Sequence, residues 1–368
     1  MSPVAGPVEP AVRRAGAPAV PVTRSRRPAA WTGLAAVAAV AIGAYLPYLV
    51  YSGTTDLLVN VFILVTLASM WNLLAGYAGL VSVGQQAYVG LGAYSVLFLA
   101  QHGLNPFAGL PVAAAVCGIA GLPVWWLVSR LRGGYFAIAT WVIASAIPLV
   151  IVQFHALGGG TGAPLPGLAA LSPTLLTAYT YWAALAVAVV VLAAVYTILR
   201  GRLGLVLTAV RDDEIGARSL GARVSAARRF VYVAAAAGCG AAGALVVISQ
   251  LNVQPASAFS VQWSAEMIFV TIIGGIGTIE GPILGTILFF ALQQNLSSYG
   301  TWYLIILGLV AIASAIWARR GLWGLIADRV HVRLFPVGYW LWPEDDAAPR
   351  RRGPALTRWR RRGSAPGR

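Results

Sequence analysis

The sequence predicts an all-α, polytopic transmembrane helical bundle of about ten spans, with the N- and C-termini in the cytoplasm. Three observations predict it: a composition suited to lipid, apolar runs of spanning length, and arginines confined to alternate connectors. The 368 residues are 59% hydrophobic and only 10% charged, with a mean hydropathy of +0.77, whereas soluble domains are about a quarter charged. Apolar runs fall near 31–50, 57–75, 80–100, 108–128, 135–154, 178–199 and 230–251. Two shorter runs follow near 264–279 and 281–296, and a last one near 301–317. A helix of about 20 residues crosses a bilayer, and these continuous runs lack the alternation of barrel strands. For 264–296, two full spans and a re-entrant hairpin both remain open.

The chain has no lysine, so its 26 cations are all arginine. With the N-terminus inside, five arginines precede the first span, and Arg130 and Arg132 follow the fourth. Seven from Arg200 to Arg229 follow the sixth, and twelve from Arg319 to Arg368 follow the tenth. Every arginine then lies on one side, as the positive-inside rule requires, and adding or removing one span breaks the pattern. The net charge of +15 therefore calls for no nucleic-acid partner; basic tails of this kind are solvated or lean on anionic membrane lipid.

Three regions follow. Residues 1–30, rich in Pro, Ala and Arg, read as a disordered basic tail rather than a signal peptide. Residues 31–317 form the transmembrane domain, with 200–229 as its long cytoplasmic loop, and 318–368 form a second basic cytoplasmic tail. Cys117 and Cys239 fall within spans and read as small packing residues, not a disulfide.

Ionisable groups inside the spans are scarce: Asp56 and Glu280 fall at span ends and Glu266 about one turn inside its helix. Ion-coupled transporters and pumps keep buried relays of such groups, so the driving force must come from another subunit, or the protein is passive. The loop 200–229 holds Asp212, Asp213 and Glu214 ahead of Arg218, with Glu214 and Arg218 spaced i,i+4 and Gly221 placed as a C-terminal cap. It reads as one short, rigid helix lying across the cytoplasmic face. Such a helix is either solvated or docks a partner.

Glycine marks two further segments. One runs from Gly76 through Gly79 and Gly84 to Gly92; the other holds Gly274, Gly275 and Gly277 ahead of Glu280. Glycine at this density permits close helix packing, and it permits broken helices that line a solute path. Ser82, Gln85, Gln86 and Tyr88 favour the path, because four polar groups facing lipid are costly. The expected path residues are Gly79, Ser82, Gly84, Gln85, Gln86, Tyr88, Gly274, Gly275 and Gly277, near mid-membrane in the first segment.

The stretches GYAGLVSVGQQAYVGLGAY, LRGGYFAIAT, AVRDDEIGARSLGARVSAARR and VQPASAFSVQWSAEMIFVTIIGGIG, with Arg320-Gly321-Leu322 near the end, resemble the LivM-type permeases of branched-chain amino-acid ABC importers. The resemblance covers about 70–320. It implies that Arg211, Asp212, Asp213, Glu214, Arg218, Ser219, Leu220 and Gly221 contact an ATPase. It further implies a plasma-membrane complex with a second related permease subunit, two cytoplasmic ATPases and an extracytoplasmic solute-binding protein, carrying a small amino acid. The chain itself would be no enzyme and hold no cofactor or metal: without lysine it has no P-loop. Two stretches depart from the family pattern. Trp141–Pro148 lacks the usual carboxylate, and the external turn reads Leu157-Gly-Gly-Gly-Thr161-Gly. A urea or amide permease of the same architecture is the nearest alternative, followed by an ion-coupled secondary transporter and a passive channel.

Overall fold

The apolar runs fold as helices. The computed structural model describes residues 22–23, 38, 40–48, 52–168, 172–296, 302–317, 321–330 and 340–341. Its helices are α1 (Ser52–Asn72), prolonged by a π-helical turn Leu73–Tyr77, α2 (Gln86–Gln101), α3 (Gly109–Val128), α4 (Gly134–Ile151) and α5 (Pro173–Arg200). Two helices in the long loop, α6 (Arg202–Asp212) and α7 (Glu214–Ser219), precede α8 (Val224–Gln250). The short α9 (Pro255–Ala258), α10 (Val261–Gly274), α11 (Glu280–Leu296), α12 (Trp302–Trp317) and α13 (Gly321–Val330) complete the set.

Six helical stretches among the described residues are long and apolar enough to cross a membrane: Gly53–Tyr77, Gly109–Val128, Gly134–Ile151, Pro173–Arg200, Val224–Gln250 and Pro255–Gly274. The helices α2, α11 and α12 match three more expected runs but are shorter, at 16, 17 and 16 residues. For α2 the cause is visible in the sequence: residues 79–85 are not helical, so the helix starts later than its apolar run. Of the first expected span, near 31–50, residues 38 and 40–48 are described and helical, and the rest lie outside the described residues.

The axis of the bundle is α8. It packs on α3, α2, α1 and α5, and its second half, Gly238–Ile248, is buried throughout. Small residues permit this. Gly92 of α2 meets the Gly240 carbonyl, and Gly243 meets the Val89 carbonyl, each so closely that no Cβ fits between. Cys117 and Cys239 are free and buried at the same crossing, consistent with packing. A second cluster joins α1, α10, α11 and α12 through Leu64, Ala68, Val270, Ile273, Phe289 and Ala311. The helices α10 and α11 pack side by side, joined by the turn 275–279.

One end of this bundle carries a two-stranded ribbon, β2 (Ala163–Pro164) paired antiparallel with β3 (Asn252–Val253). The other end carries Arg132, Arg211, Arg218 and Arg228, gathered around the α6–α7 segment. Residues 1–27 and 338–368 form a separate unit, in which β1 (Val22–Thr23) pairs antiparallel with β4 (Trp340–Leu341). Most of both expected tails lies outside the described residues. Besides these two strands, the helix α13 is described, and its first residue, Gly321, packs against the backbone of Gly274 and Gly275.

Candidate functional site

The loop 200–229 is two helices with an elbow, not the single short helix its charge pattern suggested. Asp213 makes the elbow: its backbone is extended (φ −150°), and its side chain accepts hydrogen bonds from the N–H groups of Ile215 and Gly216 at 3.0 and 3.1 Å. An N-cap aspartate in mid-run thus ends α6 and starts α7. At the far end, the Gly221 N–H donates to the Arg218 carbonyl and the Ala222 N–H to the Ala217 carbonyl. With Gly221 at φ +83°, this is a Schellman motif, and the expected glycine cap is in place.

The carboxylate of α7 turns inward, while its Arg218 stays exposed. Glu214 pairs with Arg218 at 2.6 Å as its spacing predicted, and also with Arg132 and Arg228, each at 3.1 Å. Its side chain and that of Arg228 are each 17% exposed. Glu214 is therefore a hub that ties α7 to the α3–α4 turn and to the first turn of α8. Two large apolar side chains project beside Arg218: Ile215 is 78% exposed and Leu220 89%. Asp212 remains exposed against Arg211, and the Ser219 hydroxyl donates to the Ile215 carbonyl at 3.0 Å.

The first glycine segment is the turn between α1 and α2. From the π-helical turn it passes Gly79, which lies against the aliphatic stem of Arg211 at the arginine-bearing end, and enters the bundle. Ser82, Gln85 and Gln86 are at most 2% exposed. Side chains from three helices hold them: Trp71 Nε1 donates to the Ser82 carbonyl at 2.8 Å, and the Val83 N–H donates to Thr140 Oγ1 at 3.2 Å. The Gln86 N–H donates to Ser264 Oγ at 3.2 Å, and Ser264 Oγ donates in turn to Gln86 Oε1. Gln85 Nε2 donates to Ser82 Oγ at 3.2 Å, while Gln85 Oε1 is buried with no hydrogen-bond partner among the described residues. Gly84 packs on the Thr140 backbone, and Tyr88 Oη meets Tyr232 Oη at 3.1 Å beside Trp125 and Phe136.

The second segment is likewise a turn, between α10 and α11. Gly274 packs against the Gly281 carbonyl, and Gly275 and Gly277 take φ of +131° and +78°, which only glycine adopts without strain. The two turns touch: the backbones of Gly76 and Gly277 lie together, with Asn72 and Arg211 at either side. Ser82, Gln85 and Gln86 are thus tied to one another, to α1 and to α10, while Gly79 lies on α6, Gly84 on α4 and Tyr88 on α8. Sequence reasoning missed Asn72, Thr140, Ser264, Arg132 and Arg228. Each is an ordinary polar residue on a helix or turn, and only the tertiary pairing distinguishes it.

Residues 53–315 match the family described as "Branched-chain amino acid transport system / permease component". The high-affinity branched-chain amino acid transport system permease protein LivM of Escherichia coli (strain K12) is 27% identical over 313 residues, covering 78% of this chain and 73% of that protein. The protein of the same description from Salmonella typhimurium is 27% identical over 303 residues, covering 75% and 71%. No solved structure matches the chain.

Proposed function

The chain belongs to the branched-chain amino acid transport permease family, and from that premise we propose that it is the membrane-spanning subunit of an ATP-driven importer of branched-chain or related small amino acids. It is a transport permease and not an enzyme. In this reading the bundle crosses the plasma membrane about ten times with both termini inside, and the arginine-bearing end faces the cytoplasm by the positive-inside rule. A second related permease completes the pathway, an extracytoplasmic binding protein delivers the solute, and two ATPases dock on α6–α7. The polar cluster Ser82–Gln86 and the two glycine turns line the path.

One observation carries the docking. A helix capped at both ends and pinned by Glu214 presents Ile215 and Leu220 to water. On a face that already meets water, two exposed large apolar side chains on a fixed helix are suited to a partner's groove. Leu220→Ser tests this better than removal of Glu214, which would loosen the helix itself. Because the side chain is exposed, the substitution is expected to shift unfolding free energy by no more than about 0.5 kcal/mol. Loss of a buried interface anchor costs about 2 kcal/mol or more, a drop of roughly thirtyfold in affinity. Copurification of the ATPase with the Leu220→Ser chain should fall accordingly, and wild-type recovery would overturn the docking of α7.

A further inference from the structure

Two backbone segments meet at Asn72, which is 2% exposed and belongs to no pattern in the sequence. It is the last α-helical residue of α1 before the π-helical turn. Its Nδ2 donates to the Thr278 carbonyl at 2.7 Å, and its Oδ1 accepts from the Gly277 N–H at 2.8 Å. Both polar atoms of the amide are thus spent on the α10–α11 turn, some two hundred residues away in sequence. Four residues on, the Gly76 carbonyl accepts from Arg211 Nη1 at 2.9 Å. Gly76 and Gly277 press backbone to backbone there, with no room for a Cβ on Gly76. On the other side, Arg211 is the penultimate residue of α6, one position before the two-residue step Asp212–Asp213 that opens α7.

We infer that Asn72 and Arg211 form one transmission junction, through which a displacement of the α6–α7 segment reaches both glycine turns together. The inference rests on the importer reading above and names the residues that act inside this subunit. Arg211 grips the first turn by its Gly76 carbonyl, and Asn72 binds the second turn to the first. A push on α6 that moves Gly76 must therefore move Gly277 as well, because the two backbones are in contact and Asn72, one turn before Gly76, holds Gly277 and Thr278 by two hydrogen bonds. Asn72 is buried, so it is a positioning residue and acts through these turns. The guanidinium of Arg211 has its Nε on Asp212 at 3.1 Å and its Nη1 on Gly76, so one planar group spans the elbow and the first turn.

The test uses the complete complex with its ATPases and binding protein, reconstituted in liposomes with leucine as the probe. Leucine taken up per ATP hydrolysed is measured for Asn72→Ala, Asn72→Asp, Arg211→Gln and the double variant Asn72→Ala/Arg211→Gln. A defect in folding alone lowers the amount of complex but leaves this ratio intact. The ratio should fall about tenfold in Asn72→Ala, in keeping with one or two lost hydrogen bonds in the coupling. It should fall less in Asn72→Asp, which keeps the acceptor for Gly277 and loses the donor to Thr278. The double variant should be no worse than the poorer single one, as expected for two residues in one network. A wild-type ratio in Asn72→Ala, or losses that simply multiply in the double variant, would overturn the junction while leaving the importer intact. A wild-type complex that hydrolyses ATP without moving leucine, urea or any other solute tried would remove the importer reading and the junction with it.

Discussion

Gln85 and Gln86 are neighbours in sequence with unequal attachments. Gln86 holds Ser264 through its backbone N–H and its Oε1, so it joins α2 to α10. Gln85 has one side-chain bond, to Ser82, and a buried oxygen with no partner among the described residues. Replacing Gln86 with Leu strands a buried hydroxyl and should cost about 1–3 kcal/mol, whereas Gln85→Leu removes an unpaired oxygen with its one bond and should cost about 1 kcal/mol or less. Gln85→Leu is therefore the clean probe of the path: melting near wild type, with solute uptake sharply reduced. Full uptake by that variant would make the cluster a packing feature and move the path elsewhere. The polar residues of this cluster were legible because each breaks an apolar run. Their partners Thr140 and Ser264 were not, since a hydroxyl on a membrane helix usually bonds its own preceding turn, as Thr66 bonds the Phe62 carbonyl. Glu214 shows the same limit, for its i,i+4 partner Arg218 can be counted along the chain while Arg132 and Arg228 arrive from the α3–α4 turn and from α8.

Elements in this bundle meet at very different distances, and their glycines record it. At the α2–α8 crossing, Gly243 faces the Val89 carbonyl so closely that a methyl group there must push the helices apart. Such overpacking costs about 1–3 kcal/mol and occasionally more. Gly308, inside α12, has nothing within 4 Å of an added Cβ, and there alanine should gain up to about 1 kcal/mol of helix propensity. Thermal unfolding of the purified chain in detergent should therefore fall for Gly243→Ala and hold or rise for Gly308→Ala. Equal shifts in the same direction would refute the close crossing. Helix existence was legible from the apolar runs because length and continuity alone fix it in lipid. Helix limits were less so: α2 starts at Gln86, since the turn entering it is held by side chains from three other helices. The elbow at Asp213 also escaped a reading by charge, because the same aspartate that suits a helix start interrupts the helix before it.

At the scale of the whole molecule, the arginine asymmetry and the fold make one geometric claim. The helix α8 has 27 residues, about 40 Å at 1.5 Å per residue, longer than the roughly 30 Å hydrocarbon core. Its first turn lies beside Ser219 and the arginine cluster, and its last residue is two positions from Asn252, whose strand pairs with Ala163–Pro164. Thr161 and Asn252 therefore share one end of the bundle, and Ser219 lies at the other, each of them exposed. Cysteine placed at Thr161 or Asn252 should react with an impermeant thiol reagent applied to intact cells. Cysteine at Ser219 should react only once the membrane is opened. The native Cys117 and Cys239 are buried and should contribute no background in the folded protein. Labelling at 219 from outside would invert the orientation, because a bundle with this arginine pattern has one threading that keeps the cations on a single side. Labelling of both 161 and 219 from the same side would go further and refute α8 as a spanning helix.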